Sequence, residues 1–196
     1  MRVRGVLIAF AVVLVILGIG LFMVRVGAGN LVGSGQVQAE KAAVASLRAL
    51  HWAQGIFRRN AYLDADGNGE GEFGTLRQLA AADPLPSGES IPAPLVATAG
   101  GRLEGDVLEK GGYCFRLDLP EGTHARERRF VAWAWPVMEG IGTRRYCIDQ
   151  DEQIWGAPAE GHVGCEAGPP PSTCPPDEGF VRWRGKTNLR PVGAQG

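Results

Sequence analysis

The chain has 196 residues, of which 45% are hydrophobic and 21% charged, and its formal net charge is -1. This length is enough for one modest domain core. The balanced charge does not supply the clustered basic face that nucleic-acid binding requires, so we predict no nucleic-acid partner.

The amino-terminal region contains an apolar run without a charged residue at 5–24. About 20 helical residues cross the ~30 Å core of a bilayer, so the run predicts a transmembrane helix after a short cytoplasmic leader, 1–4. Arg2 and Arg4 in the leader predict that it stays in the cytoplasm and that the chain from Gly27 is extracytoplasmic. Membrane lipid is then one expected partner.

A cleaved signal peptide is the alternative for this region, because small residues follow the run at 26–28. The run is longer than the ~7–15 residues of an ordinary signal core, and Arg25 stands where the cleavage region is usually uncharged. Both features favour a permanent anchor.

A glycine-rich stretch, 25–35, is expected to form a flexible joint, and a helix is expected from Gln36 to about Tyr62. Residues at helical spacing form one stripe that can pack on a sheet. The stripe comprises Ala43, Leu47, Leu50, Gln54 and Phe57. His51 lies on the same helix with no nucleophile or acid at a suggestive spacing, so we expect it to be packed rather than catalytic.

The sequence after this helix alternates side-chain oxygens with small residues. Asp64, Asp66 and Asn68 match the first, third and fifth ligand positions of an EF-hand loop, and Glu72 matches the ninth. Thr75 stands where the bidentate glutamate belongs, so a complete EF-hand is not expected. The pattern predicts a calcium site, with a polar turn that needs no ion as the alternative. The predicted ligands are Asp64, Asp66, Asn68, Glu70 and Glu72.

Further along the chain, a short helix is expected from Thr75 to Ala82, followed by a proline-rich connection. Alternating side chains predict three strands of a small antiparallel sheet. These are Gly112 to Leu119, Phe130 to Pro136, and Thr143 to Ile154 with a turn near Gln150. The alternation places Cys114 and Cys147 on the polar faces of their strands.

Four cysteines in an oxidising compartment predict two disulfides, with all three connectivities open. Cys165 and Cys174 could close a local loop. A bridge from Cys114 to Cys147 requires neighbouring strands, because strands two places apart lie ~10 Å from each other and a disulfide needs Cα atoms within about 7 Å. Zinc is the less favoured alternative, because the chain has no Cys-x-x-Cys pair.

Trp133 and Trp135 are expected in the core, with an exposed ligand-binding face as the alternative. Residues 158–196 read as a Pro/Gly-rich segment and a loose basic tail. The sequence has no hydrolase elbow, His-Glu-x-x-His helix or phosphate loop, so no enzyme activity is expected.

Several short motifs occur in a characteristic order, at 43–50, 64–76, 110–117, 134–137 and 142–151. In this order they resemble type IV pilin-like proteins, specifically type II secretion pseudopilins. The resemblance implies an α+β fold with an N-terminal transmembrane helix and then a pilin-like helix packed on a small antiparallel sheet. It also implies a structural role in a pilus-like assembly, a periplasmic domain at 36–157 held at the bacterial inner membrane, and other pilin-like or secretion-system subunits as partners. Some relatives bind calcium.

One position departs from the pilin pattern. Phe10 occupies the place of the glutamate that follows the cleavage point of a processed pilin. An anchored pilin-fold protein that never polymerises is therefore one reading. The other alternative is an anchored or secreted module that binds a ligand in a calcium-dependent way through Trp133, Trp135 and the acidic loop.

Overall fold

The computed structural model describes residues 35–167, 174 and 180–183. The chain divides into two compact units, residues 1–38 and 39–196, and the described part of the first unit is the opening turn of a helix, 35–38. Among the described residues, no helix has both the length and the apolar character needed to cross a bilayer. The predicted leader and span, 1–24, lie outside the described residues.

The first helix, α1, spans residues 35–59 and confirms the helix predicted from the apolar spacing. It ends where the Asn60 side-chain amide donates to the Ile56 carbonyl at 3.0 Å and Ala61 turns to a φ of 45°. One stripe of α1 is buried in the core. That stripe comprises Ala43, Val44, Leu47, Leu50, Ala53, Gln54 and Phe57.

Gln54 is the polar member of this stripe, and its two hydrogen bonds explain its burial. Its Nε2 donates to the Gly74 carbonyl at 2.6 Å, and its Oε1 accepts from the Gly74 amide at 2.9 Å. A fully buried amide side chain is tolerated when its polar atoms are paired in this way. Gln54 thereby fixes the chain after the acidic loop onto α1.

The strands of the described residues form a seven-stranded antiparallel meander in which each strand pairs with the next one in sequence. Its strands are β1 (Gly101–Glu104), β2 (Val107–Lys110), β3 (Tyr113–Asp118), β4 (Val131–Pro136), β5 (Arg144–Asp149), β6 (Ile154–Pro158) and β7 (Val181–Arg182). The described residues also contain two single-turn α-helices: α2 (Leu76–Leu79) before β1 and α3 (Thr123–Arg126) between β3 and β4. A capping box at Thr75 begins α2, in the region where a short helix was predicted.

The predicted fold class is wrong and needs correction. The sheet has seven strands rather than three, and it packs against one long helix, α1; no helix of the described residues could span a membrane. The β1–β2 hairpin escapes the sequence pattern because β1 is largely exposed and charged. The turn predicted near Gln150 is present, and it separates β5 from β6, which continues to Pro158, beyond the predicted end at Ile154.

One face of the sheet packs against α1. Phe115, Ala134, Tyr146 and Ile148 from this face join the buried stripe of α1 in one hydrophobic cluster. Glu40 reinforces the contact, since its carboxylate accepts from the Thr143 amide at 2.9 Å and from the Tyr146 hydroxyl at 3.2 Å. Burial and the nearby Glu40 carboxylate both raise the pKa of Tyr146, so this hydroxyl keeps its proton and remains a donor.

The opposite face carries a second, smaller cluster of Cys114, Trp133, Trp135 and Cys147, all fully buried. The face of the strands that was predicted to be polar is therefore fully buried at both cysteines. Sequence alternation separates the two faces correctly but does not reveal that chain after β6 covers the face that carries the two cysteines. The Pro/Gly-rich region contributes to this cover, because Cys165 and Cys174 pack against the cluster.

Two disulfides are present, as predicted. Cys114 bonds Cys165 with Cα atoms 5.4 Å apart, and Cys147 bonds Cys174 with Cα atoms 6.0 Å apart. Strand β4 lies between β3 and β5, which excludes the bridge between Cys114 and Cys147. The local Cys165–Cys174 loop and the zinc alternative are excluded as well, because no cysteine is free.

Candidate functional site

The acidic loop brings three of the predicted calcium ligands, Asp64, Asp66 and Asn68, into one turn, where the loop's own N–H groups donate to their side-chain oxygens. The Asn68 amide donates to Asp64 Oδ1 at 3.1 Å and to Asp66 Oδ1 at 3.2 Å, and the Gly69 amide donates to Asp64 Oδ2 at 3.0 Å. The Glu70 amide donates to Asn68 Oδ1 at 2.6 Å. These contacts are those of a polar Asx turn.

The remaining loop carboxylates diverge. Glu72 is buried and accepts from the Ala65 amide at 3.1 Å, whereas Glu70 is exposed on the rim of a cleft. In the described part of the chain, no three His, Cys, Asp or Glu side chains are grouped so as to hold a metal ion. The loop as folded does not form a ready-made metal cage, and calcium binding stays a prediction.

Two residues absent from the sequence prediction anchor this loop. The Asn68 side-chain amide donates to Glu127 Oε1 at 2.8 Å, and Glu127 Oε2 lies 3.1 Å from His124 Nδ1. Glu127 is buried, so it depends on these polar partners. A separation of 59 residues between Asn68 and Glu127 left no local signal for the contact.

A cleft of about 500 Å³ lies between α1 and the acidic loop. Arg58 lies over the ring of Phe73 at 5.5 Å, and Phe73 meets Phe130 edge-on at 4.7 Å. His51 is half-buried, with Nε2 3.2 Å from the Gln150 carbonyl oxygen, which agrees with the predicted packing role. Arg58 and Arg59 line the cleft and lie in the last turn of α1, where the negative end of the helix dipole stabilises cations. Their position is therefore explained by the helix itself.

The two tryptophans predicted in the core are fully buried. Trp135 Nε1 donates to the Gly164 carbonyl at 2.8 Å, whereas Trp133 Nε1 has no acceptor among the described residues. Neither ring is available to stack on a ligand, so the aromatic binding face considered as an alternative is not formed by these residues.

The outward face of α1 exposes an apolar stripe. Trp52 is 63% exposed, and the alanines that precede it at one-turn intervals are exposed too. We call this stripe the α1 seam. It comprises Ala42, Ala45, Ala49, Trp52 and the half-buried Ile56.

Three cations border the α1 seam: Lys41, Arg48 and Arg59. None of them forms an ion pair within the described part of the chain. Arg48 instead lies 5.7 Å from the ring centroid of Trp183. Sequence reasoning identified the buried stripe of α1 and missed this second one, although its spacing of three and four residues is visible in the sequence.

Comparison with known proteins finds no matching family model, no similar curated protein and no similar solved structure.

Proposed function

We propose that the chain is a structural component of an extracytoplasmic assembly and that it binds other proteins through the α1 seam. One observation carries the proposal: Trp52 is 63% exposed on the helix face that points away from the sheet. Partly exposed tryptophans next to arginines are typical of the energetic centre of protein interfaces. Scattered alanines would not support such a role, but alanines aligned with a tryptophan form a continuous surface.

The two disulfides support the proposed compartment. Such bonds persist in oxidising environments, which include the bacterial periplasm. The short motifs that resemble pilin-like and pseudopilin sequences suggest the specific form of the role. In that form the partners are other pilin-like or type II secretion subunits.

The test is site-specific photocrosslinking in living cells. A photoreactive phenylalanine analogue replaces Trp52 in one strain and, as the matched control, Arg102 in another; the Arg102 side chain is 68% exposed on β1. We expect Trp52 to give crosslinks to secretion or pilus subunits and Arg102 to give none. Equal crosslinking at both positions, or none at Trp52, would contradict the proposal.

The alternative function, a calcium-dependent ligand-binding module, loses one of its two supports. Trp133 and Trp135 are buried and cannot form its aromatic surface. The acidic loop is the support that remains, and a calcium titration tests it independently of the α1 seam.

A further inference from the structure

The α1 seam has the spacing of a helix-packing surface. Its residues follow each other at intervals of three, four, three and four, which keeps them on one line along an α-helix. From Ala42 to Ile56 the line is ~21 Å long, since each residue rises about 1.5 Å. That length suits a partner helix of about four turns.

The size of the side chains indicates how closely a partner can approach. Ala42, Ala45 and Ala49 occupy three of the five positions, and small residues let a second helix lie near the short end of the usual 8–10 Å separation. Trp52 then fills the space between the two helices as the largest contact. A membrane surface suits the seam less well, because Trp52 and Ile56 are its two large apolar side chains and the three alanine methyl groups add little to insertion into lipid.

The charges beside the seam specify the partner further. Lys41 and Arg48 lie seven residues apart, so they flank the same side of the seam at heptad spacing. The nearest acid on the helix, Glu40, is already bound to Thr143 and Tyr146. A second copy of this helix would therefore place cations against cations.

We infer that the α1 seam binds an amphipathic helix that carries acidic side chains along one flank, an inference that rests on the proposed function. The partner's apolar ridge packs on the alanines and Trp52. Its carboxylates, spaced by one heptad, pair with Lys41 and Arg48. Such pairs at the edge of an interface set partner choice and orientation more than affinity.

The test measures binding of two synthetic helices to the full chain with its disulfides intact. Both peptides have three heptads with leucine on the apolar ridge; one has glutamate on the flank and the other has lysine. Fluorescence anisotropy should show that the wild type prefers the glutamate peptide and that this preference weakens with salt. Trp52→Ala should weaken binding about tenfold.

A charge reversal provides the sharpest comparison. The double variant Lys41→Glu and Arg48→Glu should prefer the lysine peptide, whereas Arg102→Glu, on β1, should behave as the wild type does. Equal binding of both peptides, or binding of neither, would overturn the inference. So would self-association of the chain in sedimentation, or binding to phosphatidylglycerol vesicles with no peptide binding.

The two proposals can fail separately. Crosslinks from Trp52 to assembly subunits, together with no effect of the charge reversal, would reject the acidic helix and keep the assembly role. If the charge-reversed variant prefers the lysine peptide but Trp52 gives no crosslinks in cells, the assembly role is rejected and the acidic helix is kept.

Discussion

The two faces of the sheet are covered by different means. On one face, α1 supplies a continuous hydrophobic stripe and the cluster extends over most of the domain. On the other face, the buried cluster consists of two tryptophans and two cysteines, and covalent bonds to Cys165 and Cys174 hold its cover. A long helix covers a sheet mainly through the apolar area that it buries, whereas the cover of the second face is tied down by covalent bonds.

Removing the disulfides that hold the cover of the second face should cause the largest loss of stability. We expect Cys147→Ser with Cys174→Ser to lower the free energy of unfolding by about 2–5 kcal/mol. The pair Cys114→Ser with Cys165→Ser should cost about 0.6 kcal/mol more in the chain-entropy model. The reason is that the sequence separations of the two bridges are 51 and 27 residues.

Urea unfolding of the two double variants measures the loss from each bridge, and unfolding of the wild type with and without reductant measures the loss from both bridges together. In the reduced protein, we expect the near-ultraviolet signal of the tryptophans to change while the helical signal of α1 persists. Unfolding free energies unaffected by reductant would show that the second face needs no covalent support.

The two tryptophans of β4 provide a smaller test within the second face. Trp135→Phe removes the donor to the Gly164 carbonyl, whereas Trp133→Phe removes a buried donor without an acceptor in the described residues. We expect Trp135→Phe to cost about 1 kcal/mol more, the usual net value of one hydrogen bond. Equal losses in thermal or urea unfolding would show that the Gly164 contact contributes nothing.

The pH dependence of stability distinguishes two carboxyl groups whose pKa values are shifted in opposite directions. Burial raises the pKa of Asp149, at the edge of the second face, above its ordinary value, so the folded state binds this proton more tightly than the unfolded state. Its contribution is therefore present at low pH and is lost as the pH rises through the raised folded value. Hydrogen bonding from Arg77 lowers the pKa of Asp83, whose contribution is lost instead as the pH falls.

Unfolding measured across the acid range checks these signs. As the pH rises, ionisation of Asp149 should lower the free energy of unfolding, and Asp149→Asn should abolish that decrease. Ionisation of Asp83 should raise the free energy of unfolding, and Asp83→Asn should abolish that increase. Changes of the same sign in both variants would contradict the assignment.

Calcium should give the smallest effect. The sequence pattern predicts a rise in melting temperature on adding calcium that the double variant Asp64→Ala and Asp66→Ala abolishes. The folded loop, whose carboxylates already accept bonds from its own amides, predicts little change. A clear rise that these alanines abolish would restore the calcium site, and an unchanged melting temperature would leave a polar turn.

The sequence predicted the parts of the fold that local periodicity determines. The buried stripe of α1 and the core position of Trp133 and Trp135 follow from spacing and side-chain size. The β1–β2 hairpin was not predicted, because β1 is largely exposed and two of its four residues are charged, which leaves no apolar alternation along it.

The pairing of Cys114 with Cys165 depends on which chain covers the second face, and no local pattern encodes that. The candidate site was within reach of the sequence but was missed. When a helix has two apolar stripes, its hydrophobic periodicity reports mainly the more hydrophobic stripe. Alanines contribute little hydrophobicity, so the α1 seam is hard to detect in this way.

The central claim is that α1 has two apolar faces with different purposes, and a pair of variants tests it directly. Leu47 is fully buried and Trp52 is 63% exposed on the same helix. Measuring both unfolding and peptide affinity, we predict that Leu47→Ala lowers stability by about 2–5 kcal/mol, whereas Trp52→Ala changes it by less than about 0.5 kcal/mol and loses the acidic helix. A Trp52→Ala variant that binds normally, or that unfolds as readily as Leu47→Ala, would contradict the account.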